Sequence, residues 1–325
     1  MRIVKMSLSK VVHKCFARLK GLFASSIRNS NPTTEHHRLV MTLLVRNEGD
    51  ILRDNIEFHL RMGVDYIFAT DNGSTDNTVE ILNEYVKKGI LTLVHEPKQD
   101  YAQAKWVNRM ADMAFEQFGP CFIFHCDADE FWFSKSGNLK NELATYPLVD
   151  CLAVKVNNVL LRFNNFLETF PEDAVLDIVN PLSTNDIRQD SIKNSMYIFP
   201  YPDKAFYRAN KYMPHVTGGN HRLVERKISV TKESRDITVY HFPIRSFAQF
   251  TRKVIEGGSA IVSNPDLAPA FGWHWRRWYQ QYIDGTLQEA YRLLVLDNEE
   301  AATYAARNVL VINENLPKKL GIRRN

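Results

Sequence analysis

The chain has 325 residues, of which 45% are hydrophobic and 24% charged, with a net charge of +4. This is enough for one large domain or two small ones, the composition is that of a soluble globular protein, and the charge is too small to argue for nucleic acid. Its four cysteines, Cys15, Cys121, Cys126 and Cys151, form no Cys-x-x-Cys pair, which argues against a zinc ribbon and for reduced thiols in a cytosolic protein.

The first 34 residues contain Arg2, Lys5, Lys10, Lys14, Arg18, Lys20 and Arg28 but no Asp or Glu. Leu8, Val11, Val12, Cys15, Phe16, Leu19, Leu22, Phe23 and Ile27 recur every three or four residues, with Lys10, Lys14 and Arg18 on another face. The pattern predicts a basic amphipathic helix over 1–28. Such a helix either lies on an anionic membrane surface, making the protein peripheral on the cytoplasmic face, or packs on its own domain or a partner. No apolar run reaches the roughly 20 residues that span a bilayer, and charge interrupts any signal-peptide core. "NSNPTTEHH" then reads as a linker, so 1–36 stand apart from the main domain.

From residue 37 strands and helices alternate. "RLVMTLLV" (38–45) is a strand buried on both faces. The next segment is helical through Ile51, Leu52, Ile56 and Leu60, with Asp50 as its cap and Gly63 as its stop. Further strands are expected at 64–70, 90–96, 121–126 and 150–156. A helix capped by Ser74 or Asp76 and another in "DYAQAKWVNRMADMAFEQFG" fall between them. The alternation predicts a doubly wound, mostly parallel α/β sheet over 37–262, a nucleotide half at 37–135 and an acceptor half at 136–262, with a helical C-terminal extension at 263–325.

Ligands in such sheets bind beyond the carboxyl ends of the strands. Arg46, Asn47 and Glu48 follow the first strand, "DNGSTD" the second, Glu96 to Lys98 the third, and Asp127, Asp129 and Glu130 the fourth. Asp127 and Asp129 project to the same side of an extended segment, with Cβ atoms roughly 6–7 Å apart. One Mg²⁺ or Mn²⁺ can bind one carboxylate directly and meet the other through water or a ligand oxygen. A diphosphate held by that ion is a good leaving group, and Arg46, Lys98, Lys105 and Arg109 are cations available to it.

The stretch "LLVRNEGDILRDNIEFHLRMGVDYIFATDNGSTDNT" with "FIFHCDADEFW" resembles nucleotide-sugar glycosyltransferases of the family 2 type with the A fold. The branch meant has Val-Arg-Asn-Glu, Asp-Asn-x-Ser-x-Asp and Asp-x-Asp-Glu-Phe. The match covers about 38–135 and resumes thinly in "VYHFPIRSFAQFTRKVIEGG". The resemblance implies that Arg46, Asn47 and Glu48 line the base and ribose and that Asp71 bonds the base. It makes Ser74 and Asp76 organisers of their loop, Asp127 a residue facing ribose and metal, and Asp129 a direct metal ligand. It also implies a C-terminal histidine on the metal, for which His241 is preferred to His215, and inversion by single displacement.

An inverting enzyme needs a base for the acceptor hydroxyl. His221, near Gly218 and Gly219, is the candidate, and Glu130 is a second catalytic candidate; an incidental surface histidine is the plain alternative to the first. "FGWHWRRWYQQY" brings Trp273, Trp275 and Trp278 together, either as core and rim of a packed helix or as a sugar-stacking surface. The chain thus reads as a metal-dependent glycosyltransferase moving a sugar from a nucleoside diphosphate donor to a glycan or lipid-linked acceptor. The alternatives are a nucleotidyltransferase and a non-catalytic binding protein that keeps the fold.

Overall fold

The apolar run after residue 38 becomes the strand around which the main sheet is built. A computed structural model of the chain describes residues 38–97, 103–163, 174–209, 215–216, 223–224 and 231–322. The expected helix 1–28 and linker, with Cys15, Lys98, His221 and Arg222, lie outside the described residues. In chain order come β1 (Leu39–Val45), α1 (Leu52–Arg61), β2 (Tyr66–Asp71), α2 (Thr78–Lys87), β3 (Leu91–His95), α3 (Gln103–Phe118) and β4 (Cys121–Asp127). There follow β5 (Glu130–Ser134), α4 (Lys140–Thr145), β6 (Cys151–Val154), β7 (Val156–Leu160), β8 (Val175–Ile178), α5 (Ile187–Asp190) and β9 (Lys204–Ala209). Next are β10 (His215–Val216), β11 (Leu223–Val224), β12 (Thr231–Glu233), β13 (Ile237–His241), α6 (Phe247–Lys253), a π-helical turn (Val254–Gly258) and α7 (Ser259–Ser263). The last elements are α8 (Trp273–Ile283), α9 (Leu287–Leu294), α10 (Asn298–Ala306), β14 (Leu310–Asn313) and α11 (Leu316–Leu320).

The main sheet has seven strands in the order β12-β6-β9-β4-β1-β2-β3. Strands β4, β1, β2 and β3 run parallel, and only β9, between β4 and β6, runs against its neighbours. Leu39, Met41, Leu43 and Val45 of β1 enter one core layer, while Val40 joins Phe68, Ile123, Val107 and Met110 on the other face. Apolar layers on both faces are what an uninterrupted hydrophobic strand requires. The doubly wound, mostly parallel sheet of the A fold is therefore present.

A five-stranded sheet in the order β14-β8-β7-β13-β5 stands beside it. The strand expected at 150–156 is two strands: β6 pairs in the main sheet and β7 in the second, with Lys155 between them. Residues beyond 262 share a core with earlier ones, since Trp278, Tyr291 and Leu294 cluster with Leu160, Leu176, Phe250 and Val254. Residues 38 onward form one compact unit. Cys121, Cys126 and Cys151 are free and buried. Among the described residues no helix is long and apolar enough to cross a membrane.

Candidate active site

Strands β1 and β4 end side by side, with Leu44 opposite Asp127, and Val45 lies opposite Asp71 of β2. Directly after β1 the chain turns through Asn47, which takes a left-handed φ of 52°, a conformation that asparagine tolerates better than most residues. Its side-chain oxygen accepts the N–H of Thr75 at 2.7 Å and that of Asp76 at 3.3 Å, and its amide donates to Glu256 at 2.5 Å. Its own N–H donates to Ser74 Oγ at 3.0 Å. Asn47 thus ties the loop after β2 to the π-helical turn. It is 3% exposed, and its side chain is engaged in holding these loops together. Asp71 is equally buried and accepts the Ser74 N–H at 3.2 Å. Asp76 accepts from Gly49 N–H and from Thr78 N–H at the start of α2.

The Asp-x-Asp segment lies between β4 and β5, where β13 runs antiparallel to β5 with His241 opposite Glu130. Phe242 N–H donates to the Asp129 carbonyl at 2.8 Å, fixing β13 against the acidic turn. The two carboxylates differ in setting. Asp127 keeps 43% of its side chain exposed, while Asp129 keeps 8%. Under them lies Lys204, buried on β9, with its Nζ 3.2 Å from Asp127 Oδ2 and 2.7 Å from Glu130 Oε1. Burial pushes the Glu130 carboxyl up to about 8 against the pull of Lys204. For Lys204, burial is outweighed by Asp127 and Glu130, and the ammonium stays charged. Glu130 is fully buried, aimed at Lys204 and not among the residues that line the cleft between these elements.

A second ionic cluster closes the site from the C-terminal half. Arg245, with 2% of its side chain exposed, contacts Glu48 and lies 2.7 Å from Asp50 Oδ2 and 3.7 Å from Asp129 Oδ2. Asp50, expected to cap α1, is drawn to this guanidinium, and α1 begins with no side-chain cap. Lys253 Nζ is 2.7 Å from Asp129 Oδ2 and 3.0 Å from Glu48 Oε1. Burial alone would raise the Asp129 carboxyl, but Lys253, His241 and Arg245 together hold it below the usual carboxylate range.

His241 Nδ1 lies 2.9 Å from Asn158 Oδ1, which can only accept from a ring N–H. The other ring nitrogen, Nε2, therefore carries the lone pair and faces Asp129 Oδ1 at 3.9 Å. Burial lowers the imidazole to about 4 despite the pull of Asp129, so the ring is neutral near pH 7. Two ligands each about 2.1 Å from one ion stand at most about 4.2 Å apart, so this nitrogen–oxygen pair fits a shared Mn²⁺ or Mg²⁺. Among the described residues no group of three or more His, Cys, Asp or Glu side chains could hold an ion alone. Any ion would depend on these two and on oxygens of a bound substrate.

The residues around this turn open on a cleft of about 520 Å³, a size suited to a small-molecule ligand. Arg46, Glu48, Asp127, Asp129, His241 and Lys253 reach it, as do Trp106 of α3 and Phe271 and Trp275 near the start of α8. Lys105 does not, because it points to solvent from α3. Arg109 is drawn to Glu96 at 3.2 Å, and His215 lies 3.6 Å from Asp112. Sequence reasoning missed Lys204, Arg245, Lys253 and Asn158. Arg245 and Lys253 stand inside "HFPIRSFAQFTRK", the stretch that continues from His241, and their charges in an otherwise apolar context were the available signal.

The family model Glycosyltransferase family 92 matches residues 41–254. No curated protein matches the chain. Among solved structures, the chain is similar to Staphylococcus aureus TarS 1-349 in complex with UDP-GlcNAc. The identity is 16% over 78% of this chain and 71% of that one, with a TM-score of 0.41. It is also similar to glucosyl-3-phosphoglycerate synthase from Mycobacterium tuberculosis in complex with Mn²⁺, UDP and glucosyl-3-phosphoglycerate. There the identity is 18% over 38% of this chain and 44% of that one, with a TM-score of 0.25.

Proposed function

This chain belongs to glycosyltransferase family 92 and is a glycosyltransferase, and from that premise we propose that it takes a sugar from a nucleoside diphosphate donor, with Mn²⁺ or Mg²⁺, and passes it with inversion to a hydroxyl of a glycan or lipid-linked acceptor. The observation that carries the metal-dependent reading is His241, whose Nδ1 is fixed by Asn158 so that a neutral Nε2 faces Asp129 Oδ1. A histidine whose tautomer is set by a second hydrogen bond is the usual form of a metal-binding imidazole.

Asp129 and His241 would hold the ion, whose contribution when bound is to neutralise charge on the departing diphosphate. Asp127, kept in place by Lys204 from below, is the exposed carboxylate of the pair and faces the donor. Arg46 reaches the same cleft from the end of β1. Trp275 and Phe271 offer aromatic faces to a sugar ring of the acceptor. His221 is the proposed acceptor of the hydroxyl proton, and Glu130 positions Lys204. Segment 1–28 is proposed to hold the enzyme at an anionic membrane surface.

The decisive experiment is donor hydrolysis over a panel of nucleotide sugars, with and without Mn²⁺. The expected product is a nucleoside diphosphate, released faster with Mn²⁺ and not by Asp129→Ala. Release of pyrophosphate from a nucleoside triphosphate would favour nucleotidyl transfer, and equal rates with the mutant would overturn the site.

A further inference from the structure

We propose that Lys253 is a donor-binding residue whose ammonium contacts the diphosphate of the nucleotide, an inference that rests on the nucleotide-donor reading and assigns a residue to it. The diphosphate carries charge that the carboxylate-rich strand ends repel. Around Asp129 the carboxylates of Glu48, Asp50 and Asp129 gather about Arg245 and Lys253. Of the four cations expected for this task, Lys105 points to solvent, Arg109 is drawn to Glu96, Lys98 lies outside the described residues and Arg46 lines the cleft. Among the described residues lining the cleft, Arg46 and Lys253 are the only lysine or arginine side chains.

Of the two, Lys253 is nearer the chemistry. It touches the carboxylate proposed to bind the metal, and Arg46 leans on Glu256, with Nε 3.5 Å from its Oε2. An ammonium has three N–H donors. One bonds Asp129 Oδ2 at 2.7 Å and a second direction is taken by Glu48 Oε1 at 3.0 Å. The side chain is 25% exposed, against 8% and 10% for those two carboxylates, so its free side is the side toward the cleft. Arg245 cannot substitute, because it is buried behind the carboxylates.

The backbone holds Lys253 at this spot. It ends α6 where the π-helical turn begins. Gly258 of that turn lets α8 close on it: a Cβ there would stand 2.7 Å from Tyr279 Cβ. A π-helical turn shifts the residues on either side of it relative to a regular helix, and such turns recur at functional sites. Here it brings Lys253 to the Asp129 side of the cleft while Glu256 and Gly257 line the same opening.

The test is calorimetric binding of UDP beside uridine, and GDP beside guanosine, to the full chain, with Mn²⁺ and again in EDTA. Lys253→Met should weaken the diphosphate that binds by at least tenfold and change its nucleoside by less than twofold, with a shallower salt dependence. Lys253→Arg should recover most of the loss. Lys253→Gln, which keeps a hydrogen-bond donor for Asp129 without the charge, should show the same tenfold loss for the diphosphate and stands in for the methionine variant if that one does not fold. Equal losses for nucleoside and diphosphate, or no loss for the diphosphate, would overturn the assignment. If the native enzyme binds neither diphosphate, the nucleotide-donor reading fails first and takes this one with it.

Discussion

Replacing Arg245 with methionine probes the ionic cluster with the least ambiguity. The guanidinium is buried and serves Glu48, Asp50 and Asp129 at once. The three losses are unequal. Asp50 keeps 39% of its side chain in water, so its share is at most about 1 kcal/mol. Asp129 retains Lys253 at 2.7 Å. Glu48, with 10% of its side chain exposed, keeps only Lys253 at 3.0 Å, and removing one partner of a buried pair costs about 3–5 kcal/mol. Arg245→Met should therefore lower unfolding stability by about 4 kcal/mol, or lower Tm by roughly 8–16 °C in a domain of this size. The pH dependence follows from the sign of the shifts. For Asp50, burial is outweighed by Arg245 and the carboxyl sits below its ordinary value; Asp129 does the same. Stability from such groups is present above the unfolded value near 3.9 and is lost as pH falls through the depressed folded value. The gap between native and variant should be full at pH 7 and should narrow below about pH 4. Urea unfolding at both pH values measures it. A gap under about 1 kcal/mol at pH 7 would refute the reasoning, as would Glu48→Gln failing to recover at least half of the loss in the Arg245→Met background.

Further expectations can be checked beside it. His241→Ala should weaken Mn²⁺ binding by at least the roughly tenfold that loss of an outer-shell partner costs, and reduce activity, with excess Mn²⁺ restoring part of it; a structure with Mn²⁺ and nucleotide in which His241 points away from the ion would refute the assignment. Glu130→Gln should keep more than a tenth of native turnover, because the residue is buried against Lys204 and does not line the cleft; a loss beyond a thousandfold would return Glu130 to the reaction. Deleting residues 1–28 should abolish sedimentation with anionic vesicles and leave donor hydrolysis unchanged. Equal vesicle binding by both forms, or by neither, would assign that segment another role.

The main sheet was legible because β1 to β4 are apolar runs separated by helices of regular period, and a parallel sheet demands that signature. The Asp-x-Asp pair was legible because it ends such a strand. What escaped were features whose cause is a distant segment. Lys204 sits in a strand and reads locally as a charge misplaced in "KAFYRA"; only the carboxylates 74 and 77 residues earlier explain it. Asp50 reads as a cap because its neighbours form a helix, yet a guanidinium 195 residues away competes better. Asn47 and Glu48 were recognised from the motif, but their bonds to Ser74, Thr75 and Arg245 were not legible in it. A motif tells that a residue type is needed, and the hydrogen bonds of Asn47 to the loop after β2 tell why.

The ionic cluster also has a consequence for how the chain is made. Glu48 and Arg245 are separated by 197 residues, and Asn47 and Glu256 by 209. At about 5–20 residues per second of synthesis, roughly 10–40 s pass between the emergence of the first acid and the arrival of its guanidinium. During that interval the growing chain carries Glu48 and Asp50, and later Asp129, without Arg245 and Lys253. Carboxylates without partners stay in water until those cations arrive. The cluster is thus a checkpoint on completeness: a chain that ends before Arg245 has the three carboxylates but not the cations that join them.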